Sequence, residues 1–195
     1  EPHHTVQDNC RRPVTIVDAE QLAQIVEAAG GEPRWEKLAG WHADGHDVLA
    51  AKCDVGNPED AAVTVAERWK RFGRIDVLVN NAGDGGPTRP VQDYAMEDWR
   101  YTIDSCLTSS YVCTRFVVPE MIKAGGGSIV NISSGAGRRG LPYRIGYCSA
   151  KAGQVGMTYG MALELAGHNI RVNCVAPGAV EGDRIDRVIA GQAEV

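Results

Sequence analysis

Several features are scarce or absent in this 195-residue sequence, and each absence excludes a class of protein. No apolar stretch approaches the length of a membrane span, so we expect no membrane partner. The net charge is −5, which gives no basic surface for a nucleic-acid partner. The N-terminal residues 1–5 lack the basic start and the apolar run of a signal peptide.

Paired metal-ligand spacing is also absent, because the six cysteines are scattered and contain no C-x-x-C pair. This pattern predicts thiols in a reducing compartment, and therefore a cytoplasmic protein, with disulfides or a zinc site as the alternatives. His3 and His4 are adjacent, but no matched ligand cluster follows them, so we predict no metal site.

What is present is the composition of a globular protein, with 44% hydrophobic and 23% charged residues. The length is sufficient for a single domain over residues 1–195 with a substantial core. Continuous apolar strands alternate with helices, which predicts an α/β fold with a doubly wound parallel sheet of the Rossmann-like kind. Strands are predicted at 48–53, 75–79, 128–132 and 170–175, and helices at 18–30, 57–72, 96–123 and 143–166. In the helix at 96–123, Pro119 predicts a local disturbance.

Polar or glycine-rich segments follow three of these strands, where ligands bind in such sheets. They are the N-N-A-G run at 80–83, the serine pair at 133–134 and the Pro-Gly pair at 177–178. A fourth segment places Tyr147 and Lys151 four residues apart, on one face of a helix. An ammonium group beside a phenol favours the ionised phenolate. Taken singly, each segment is also compatible with an ordinary turn or an exposed helix.

Taken together and in this order, the four segments resemble the classical short-chain dehydrogenase/reductase family. Ser134 precedes Tyr147 by thirteen residues and Lys151 follows it by four, as in that family. Residues 53–55, 72–79 and 127–132 resemble it as well, and the resemblance covers residues 48–180.

The resemblance implies an NAD(P)-dependent oxidoreductase that interconverts a secondary alcohol and a ketone. Tyr147 would act as general acid in reduction and general base in oxidation. Ser134 would hydrogen-bond the substrate oxygen, and Lys151 would favour the tyrosinate and bind the nicotinamide ribose. Hydride would move between substrate and nicotinamide ring. The remaining implied cofactor contacts are Asp54, Val55, Asn81, Ala82, Gly83, Pro177, Gly178 and Val180.

The sequence departs from the family pattern at the pyrophosphate site. A glycine-rich turn of the T-G-x-x-x-G-x-G kind, which cradles the pyrophosphate at a helix N-terminus, is absent from the sequence. The first strand that leads to that turn and the C-terminal strand of the family are not recognisable either. We therefore expect these residues to belong to a longer enzyme. The alternative function is a non-catalytic scaffold or nucleotide-sensing module built on the same fold.

A second departure is Cys106, which stands where the family has an asparagine that helps to hold a water of the proton relay. A thiol is a poor substitute for an amide, so the relay is altered or Cys106 only packs the helix.

Cofactor preference depends on residues 6–10, which are interpreted as the end of the second strand. There Asp8 would bind the ribose 2′-hydroxyl and favour NAD, whereas Arg11 and Arg12 would favour the 2′-phosphate of NADP. We expect NAD, with NADP as the alternative.

Assembly is predicted from small residues on the helices at 96–123 and 143–166, which members of the family pair across subunits. We expect a homotetramer or homodimer. The identity of the substrate cannot be inferred from the sequence, although residues 84–92 and 135–144 would contribute to specificity.

Overall fold

The computed structural model describes residues 14–17, 48–51, 53–179 and 183–193. The chain divides into two compact units, residues 1–52 and residues 53–195. In the first unit, strand β1 (Val14–Val17) pairs in parallel with β2 (Val48–Ala51). The sequence reasoning missed β1 and placed β2 correctly, with an end two residues too late. The helix predicted at 18–30, the strand ending at 6–10 and Asp8 lie outside the described residues.

The second unit opens with helix α1 (Pro58–Phe72), which begins and ends where the sequence predicts. The side chain of Asn57 accepts hydrogen bonds from the backbone N–H groups of Glu59 and Asp60, at 2.9 and 3.2 Å. Proline at the first position costs the helix no hydrogen bond. Gly73, at a φ of 69°, ends the helix because this left-handed conformation is strained for other residues.

Three parallel strands form the sheet of this unit, in the order β3 (Val77–Asn80), β4 (Gly127–Ile132) and β5 (Ile170–Val175). Asn80 lies opposite Asn131, and Ile132 lies opposite Val175. Their carboxyl ends therefore meet at one edge, which confirms the predicted α/β fold with a parallel sheet and brings the loops after the strands together.

The long helix predicted at 96–123 is present, but its irregular turn does not lie near Pro119, where the sequence predicts it. It comprises α2 (Met96–Ile103), a π-helical segment (Asp104–Thr108) and α3 (Ser109–Lys123). The helix continues through Pro119, and the disturbance lies instead around Cys106. A single π turn inside an α-helix frequently marks a functional site.

The helix that carries Tyr147, α5 (Ile145–Leu165), begins two residues later than predicted. Tyr143 has a φ of 63°, which is outside the helical region and rare for a residue with a side chain. Two short elements come before α5 in the chain, a 3-10 turn (Val91–Asp93) and helix α4 (Ala136–Arg139). A 3-10 turn (Ala166–His168) follows it, and helix α6 (Asp183–Ala193) is the last described element.

Apolar side chains from β4, β5, α3 and α5 form the main core of the second unit. Met121 and Ile129 are fully buried at its centre, and α3 packs on β3 and β4 while α5 packs on β4 and β5. The core residues are Ile75, Val117, Met121, Ile129, Leu165, Ile170 and Val172.

A Met121→Ala substitution is expected to lower the free energy of unfolding by about 2–5 kcal/mol, because it leaves a cavity among buried side chains. Val63→Ala is the matched control, since Val63 is 58% exposed on α1 and its truncation is expected to cost about 0.5 kcal/mol or less. Urea unfolding followed by circular dichroism measures both. Equal losses for the two variants would contradict the core assigned here.

Candidate active site

The loops after β4 and β5 are fastened to each other at the carboxyl edge of the sheet. Beyond the strand ends, Ser133 N donates to Val175 O and Gly135 N donates to Pro177 O, both at 2.8 Å. Ser134 therefore lies beside the Pro177–Gly178 turn, as the sequence predicts for two parts of one site. Among the residues that the structure describes, no atom lies within 4 Å of a Cβ added to Gly178, so none of them covers this turn.

Tyr147 and Lys151 lie on consecutive turns of α5, close to this edge. The Lys151 Nζ atom is 5.7 Å from the centroid of the Tyr147 ring. Tyr147 is half-buried, whereas Lys151 is only 3% exposed. The structure thus confirms that the two side chains are neighbours, and it shows that the ammonium group is withdrawn from solvent.

Burial of an ammonium group is costly unless oxygen atoms accept its hydrogen bonds. Lys151 Nζ donates to Ile132 O at 2.8 Å, where β4 ends, and to Gln154 Oε1 at 3.0 Å. In addition, the Ser133 hydroxyl donates to Lys151 O at 2.7 Å. These bonds fix the register of α5 against the strand that leads to Ser134.

Ser134 is held by the short helix that follows it. Its Oγ accepts a hydrogen bond from Ala136 N at 3.1 Å, while the side chain stays half-buried. Helix α4 then packs closely on α5 at Gly137, where an added Cβ would lie 2.6 Å from the carbonyl carbon of Lys151. Glycine is required there, and the close approach brings the Ser134 loop to the helix of Tyr147 and Lys151.

The N-N-A-G run begins at Asn80, the last residue of β3, and its residues differ in their burial. Asn80 is buried, and its Nδ2 donates to Thr114 Oγ1 at 3.0 Å and to Asn131 Oδ1 at 2.8 Å. Asn131 in turn donates to Thr158 Oγ1 at 2.9 Å. This side-chain ladder joins α3, β3, β4 and α5, so Asn80 is a structural residue. Asn81 is exposed at the edge of the sheet, and Ala82 and Gly83 are half-buried.

Cys106 lies in the π-helical segment, fully buried against the loop after β3. Its Sγ donates to Asp84 O at 2.9 Å. Gly83, at a φ of 154°, leaves room for the sulfur, because an added Cβ would lie 2.8 Å from it. The thiol therefore holds the start of the 84–92 loop to the long helix.

Arg144 is a site residue that the sequence reasoning missed. It is 6% exposed, and its Cζ lies 5.5 Å from the centroid of the Tyr147 ring. Its Nη2 donates to Gly85 O at 2.9 Å and its Nη1 to Thr88 Oγ1 at 3.3 Å. Arg144 thus fastens the 84–92 loop to the start of α5. The signal in the sequence was only a charged residue three before Tyr147, which is not specific.

Two further predicted cofactor residues, Asp54 and Val55, come shortly before α1 in the sequence, in the second unit. Val55 is buried, whereas Asp54 is exposed and its Oδ1 accepts a hydrogen bond from Gly56 N at 2.9 Å. Asp8 and Val180 are outside the described residues, so their predicted roles stay predictions.

Metal chemistry has no visible support in the part of the chain that the structure describes. Within residues 14–17, 48–51, 53–179 and 183–193, no three His, Cys, Asp or Glu side chains are grouped to hold an ion. Among the same residues, no helix has the length and hydropathy to cross a membrane.

Comparison with known proteins agrees with this geometry. The family model for short chain dehydrogenases matches residues 15–192. A 3-oxoacyl-(acyl-carrier-protein) reductase from Synechocystis sp. is 38% identical over 148 residues, covering 76% of this chain and 60% of the relative. A trans-4-hydroxycyclohexanecarboxylate dehydrogenase from Sinomonas cyclohexanicum is 45% identical over 139 residues, covering 70% and 52%.

Among solved structures, an NAD+-bound xylitol dehydrogenase superposes with a TM-score of 0.83 at 32% identity, covering 94% of this chain and 67% of that one. The chain spans about half to three-fifths of the length of the two curated relatives. With the family model matching most of its residues, the chain belongs to the short-chain dehydrogenase family.

Proposed function

We propose that this chain forms the catalytic part of an NAD(P)-dependent enzyme that interconverts a secondary alcohol and a ketone. The observation that carries the proposal is the buried Lys151 ammonium 5.7 Å from the Tyr147 ring, on the helix against which the Ser134 loop packs. Relatives named as a 3-oxoacyl reductase and a hydroxycyclohexanecarboxylate dehydrogenase support this class of substrate.

The residues at the carboxyl edge of the sheet suit the nicotinamide end of a dinucleotide. The exposed Gly178 and Asn81 follow strands at this edge, and Tyr147 lies close to it on α5, where such a group binds in a parallel sheet. A bound nicotinamide would supply or accept the hydride. The predicted role of Asp8 and the NAD+-bound structural relative favour NAD over NADP.

In the reduction direction, Ser134 donates a hydrogen bond to the substrate carbonyl oxygen and holds it near Tyr147. As hydride reaches the carbonyl carbon, the tyrosine hydroxyl transfers its proton to the oxygen, which completes the alcohol. Lys151 stabilises the phenolate that remains, and oxidation reverses each transfer. Ser134, Tyr147 and Lys151 thus have separate functions in one proton transfer.

A non-catalytic scaffold or nucleotide sensor is the competing function, and the structure gives a reason to prefer the enzyme. Burying the Lys151 ammonium to 3% exposure beside a tyrosine is energetically costly even when its hydrogen bonds are made. A scaffold has no need of this pair. Turnover with a panel of ketones and alcohols, followed at the absorbance of the reduced nicotinamide, distinguishes the two functions.

A cytoplasmic location is also proposed. The five cysteines that the structure describes are all thiols, which suits a reducing compartment.

An oligomer is proposed from the outer surface of α3 and α5. Of the small residues on these helices, Ser109 and Ala150 are buried within the chain and are not available for pairing. Gly156 and Gly160 are exposed, and no atom of the described residues lies within 4 Å of a Cβ added to either. The other exposed residues on these helices include Tyr111, Tyr159 and Leu163. An apolar surface with a flat glycine stripe suits a second copy of the chain, and we propose a homotetramer or homodimer.

A Tyr147→Phe substitution is expected to lower kcat by a factor of about 10² to 10⁴, since it removes the proton donor and keeps the ring. Steady-state turnover of the full-length enzyme at saturating cofactor measures the loss. Tyr159→Phe is the matched control, because it makes the same change on the same helix at a side chain that is 68% exposed. Full activity of Tyr147→Phe would overturn the mechanism.

A Cys106→Ser substitution is expected to keep kcat within about twofold, since a hydroxyl also donates to Asp84 O. Cys106→Val removes the donor to the Asp84 carbonyl and loosens the start of the 84–92 loop, so cofactor affinity is expected to fall by about fivefold to tenfold. Fluorescence titration with reduced cofactor measures the affinity, and Cys113→Ser serves as control. A Cys106→Asn variant much faster than the wild type would show instead that the relay needs the asparagine.

A Leu163→Glu substitution is expected to reduce the mass of the particle in solution, because Leu163 is 84% exposed on α5 and a carboxylate there opposes association. Size-exclusion chromatography with light scattering measures the mass. The control is Val63→Glu, on the exposed side of α1. A wild-type monomer would contradict the proposed assembly.

A further inference from the structure

One buried side chain, Gln154, connects Lys151 to the long helix and has no function in the mechanism described so far. Gln154 is fully buried on α5, one turn after Lys151. Its Oε1 accepts from Lys151 Nζ at 3.0 Å, and its Nε2 donates to Ser110 Oγ at 2.8 Å. Ser110 lies on α3 and donates its own hydroxyl proton to Cys106 O at 3.2 Å.

The direction of every bond in this chain is fixed by chemistry. An ammonium group can only donate, so the amide oxygen of Gln154 must face Lys151. The amide nitrogen must then face Ser110, whose hydroxyl is free to donate onward to the Cys106 carbonyl. Ser110 therefore accepts from the Gln154 amide nitrogen and supports the orientation that presents Oε1 to Lys151.

The backbone of Gln154 is fixed as well. Its carbonyl oxygen accepts the hydroxyl of Thr158 at 2.7 Å, and Thr158 accepts Asn131 Nδ2 at 2.9 Å. Gln154 is thus fixed from the strand side through Thr158 and from the π-helical segment through Ser110. Buried polar networks with their members bonded in this way specify one arrangement of the side chains.

The position of the Lys151 ammonium follows from two acceptors on different elements. Ile132 O approaches it from the end of β4, and Gln154 Oε1 approaches it from α5. Both are uncharged oxygens, so these two bonds hold the ammonium without cancelling its charge. Removal of the Gln154 acceptor would take away one of the two bonds that position this flexible four-carbon side chain.

We propose that Gln154 is a positioning residue for Lys151, and that the link from Ser110 to the Cys106 carbonyl couples the ammonium to the π-helical segment. The proposal rests on the function proposed for Tyr147 and Lys151. It explains how a chain with a thiol at position 106 still ties its lysine to this turn of the helix. An amide does not readily pass a proton along, so the link holds Lys151 in place and is not itself a proton path.

The test compares Gln154→Met with the double variant Gln154→Met/Ser110→Ala in the full-length enzyme. Methionine keeps the volume and removes the acceptor, so kcat is expected to fall by about tenfold to 100-fold, the scale of a lost hydrogen bond to a charged group. The dissociation constant of reduced cofactor, from fluorescence titration without substrate, is expected to rise several-fold, because Lys151 would no longer be placed for the ribose.

The double variant separates positioning from folding. In Gln154→Met alone the Ser110 hydroxyl loses a donor, and the added Ser110→Ala change leaves an apolar contact in its place. The melting temperature is expected to recover in part in the double variant, because the cost at Ser110 is relieved, while kcat and cofactor affinity stay low. Recovery of kcat together with stability would show a merely structural role and overturn the proposal.

Ser109→Ala is the matched control for the serine change. Ser109 is buried next to Ser110, and its hydroxyl donates to Ser105 O at 2.7 Å with no link to Lys151. Its kcat is expected to stay at the wild-type value. If the wild type turns over and Gln154→Met is equally fast, the positioning role is wrong and the proposed function stands. If the wild type binds cofactor but turns over no substrate, the proposed function itself fails.

Discussion

The buried ammonium of Lys151 is the group on which the arrangement of the site depends. A cation at 3% exposure needs oxygen acceptors, and the carbonyl of Ile132 supplies one of them from the last residue of β4. That bond and the bond from the Ser133 hydroxyl to the Lys151 carbonyl together set the register of α5 against β4. Because Tyr147 lies one turn before Lys151 on α5, the same register places it at the carboxyl edge of the sheet.

The loops at this edge are held by close backbone approach and by few side chains. Gly137 lets α4 lie directly on α5, and Gly83 leaves space for the Cys106 sulfur. Arg144 then ties the 84–92 loop to the start of α5. Loops fixed in this way can present open faces to a ligand while the core beneath them stays packed.

The elements that the sequence predicted well are those with strong local signals. Asn57 with Pro58 starts α1 and Gly73 ends it, and the apolar run at 170–175 coincides with β5. The π-helical segment at Asp104–Thr108 carries no such signal in the sequence, and it lies where Cys106 is buried against the loop after β3. Pro119 gave a false signal, since the long helix continues through it.

By itself, the sequence determined the parallel α/β fold, the segments at the carboxyl edge and the i, i+4 pairing of Tyr147 with Lys151, because periodicity and helix geometry act over a few residues. Only the tertiary structure decided which polar residues meet. It assigned Asn80 to a buried ladder with Asn131, and it joined Lys151 to Ser110 through Gln154. Those contacts join residues that are 51 and 44 positions apart, and such pairs are set by packing, which no local pattern encodes.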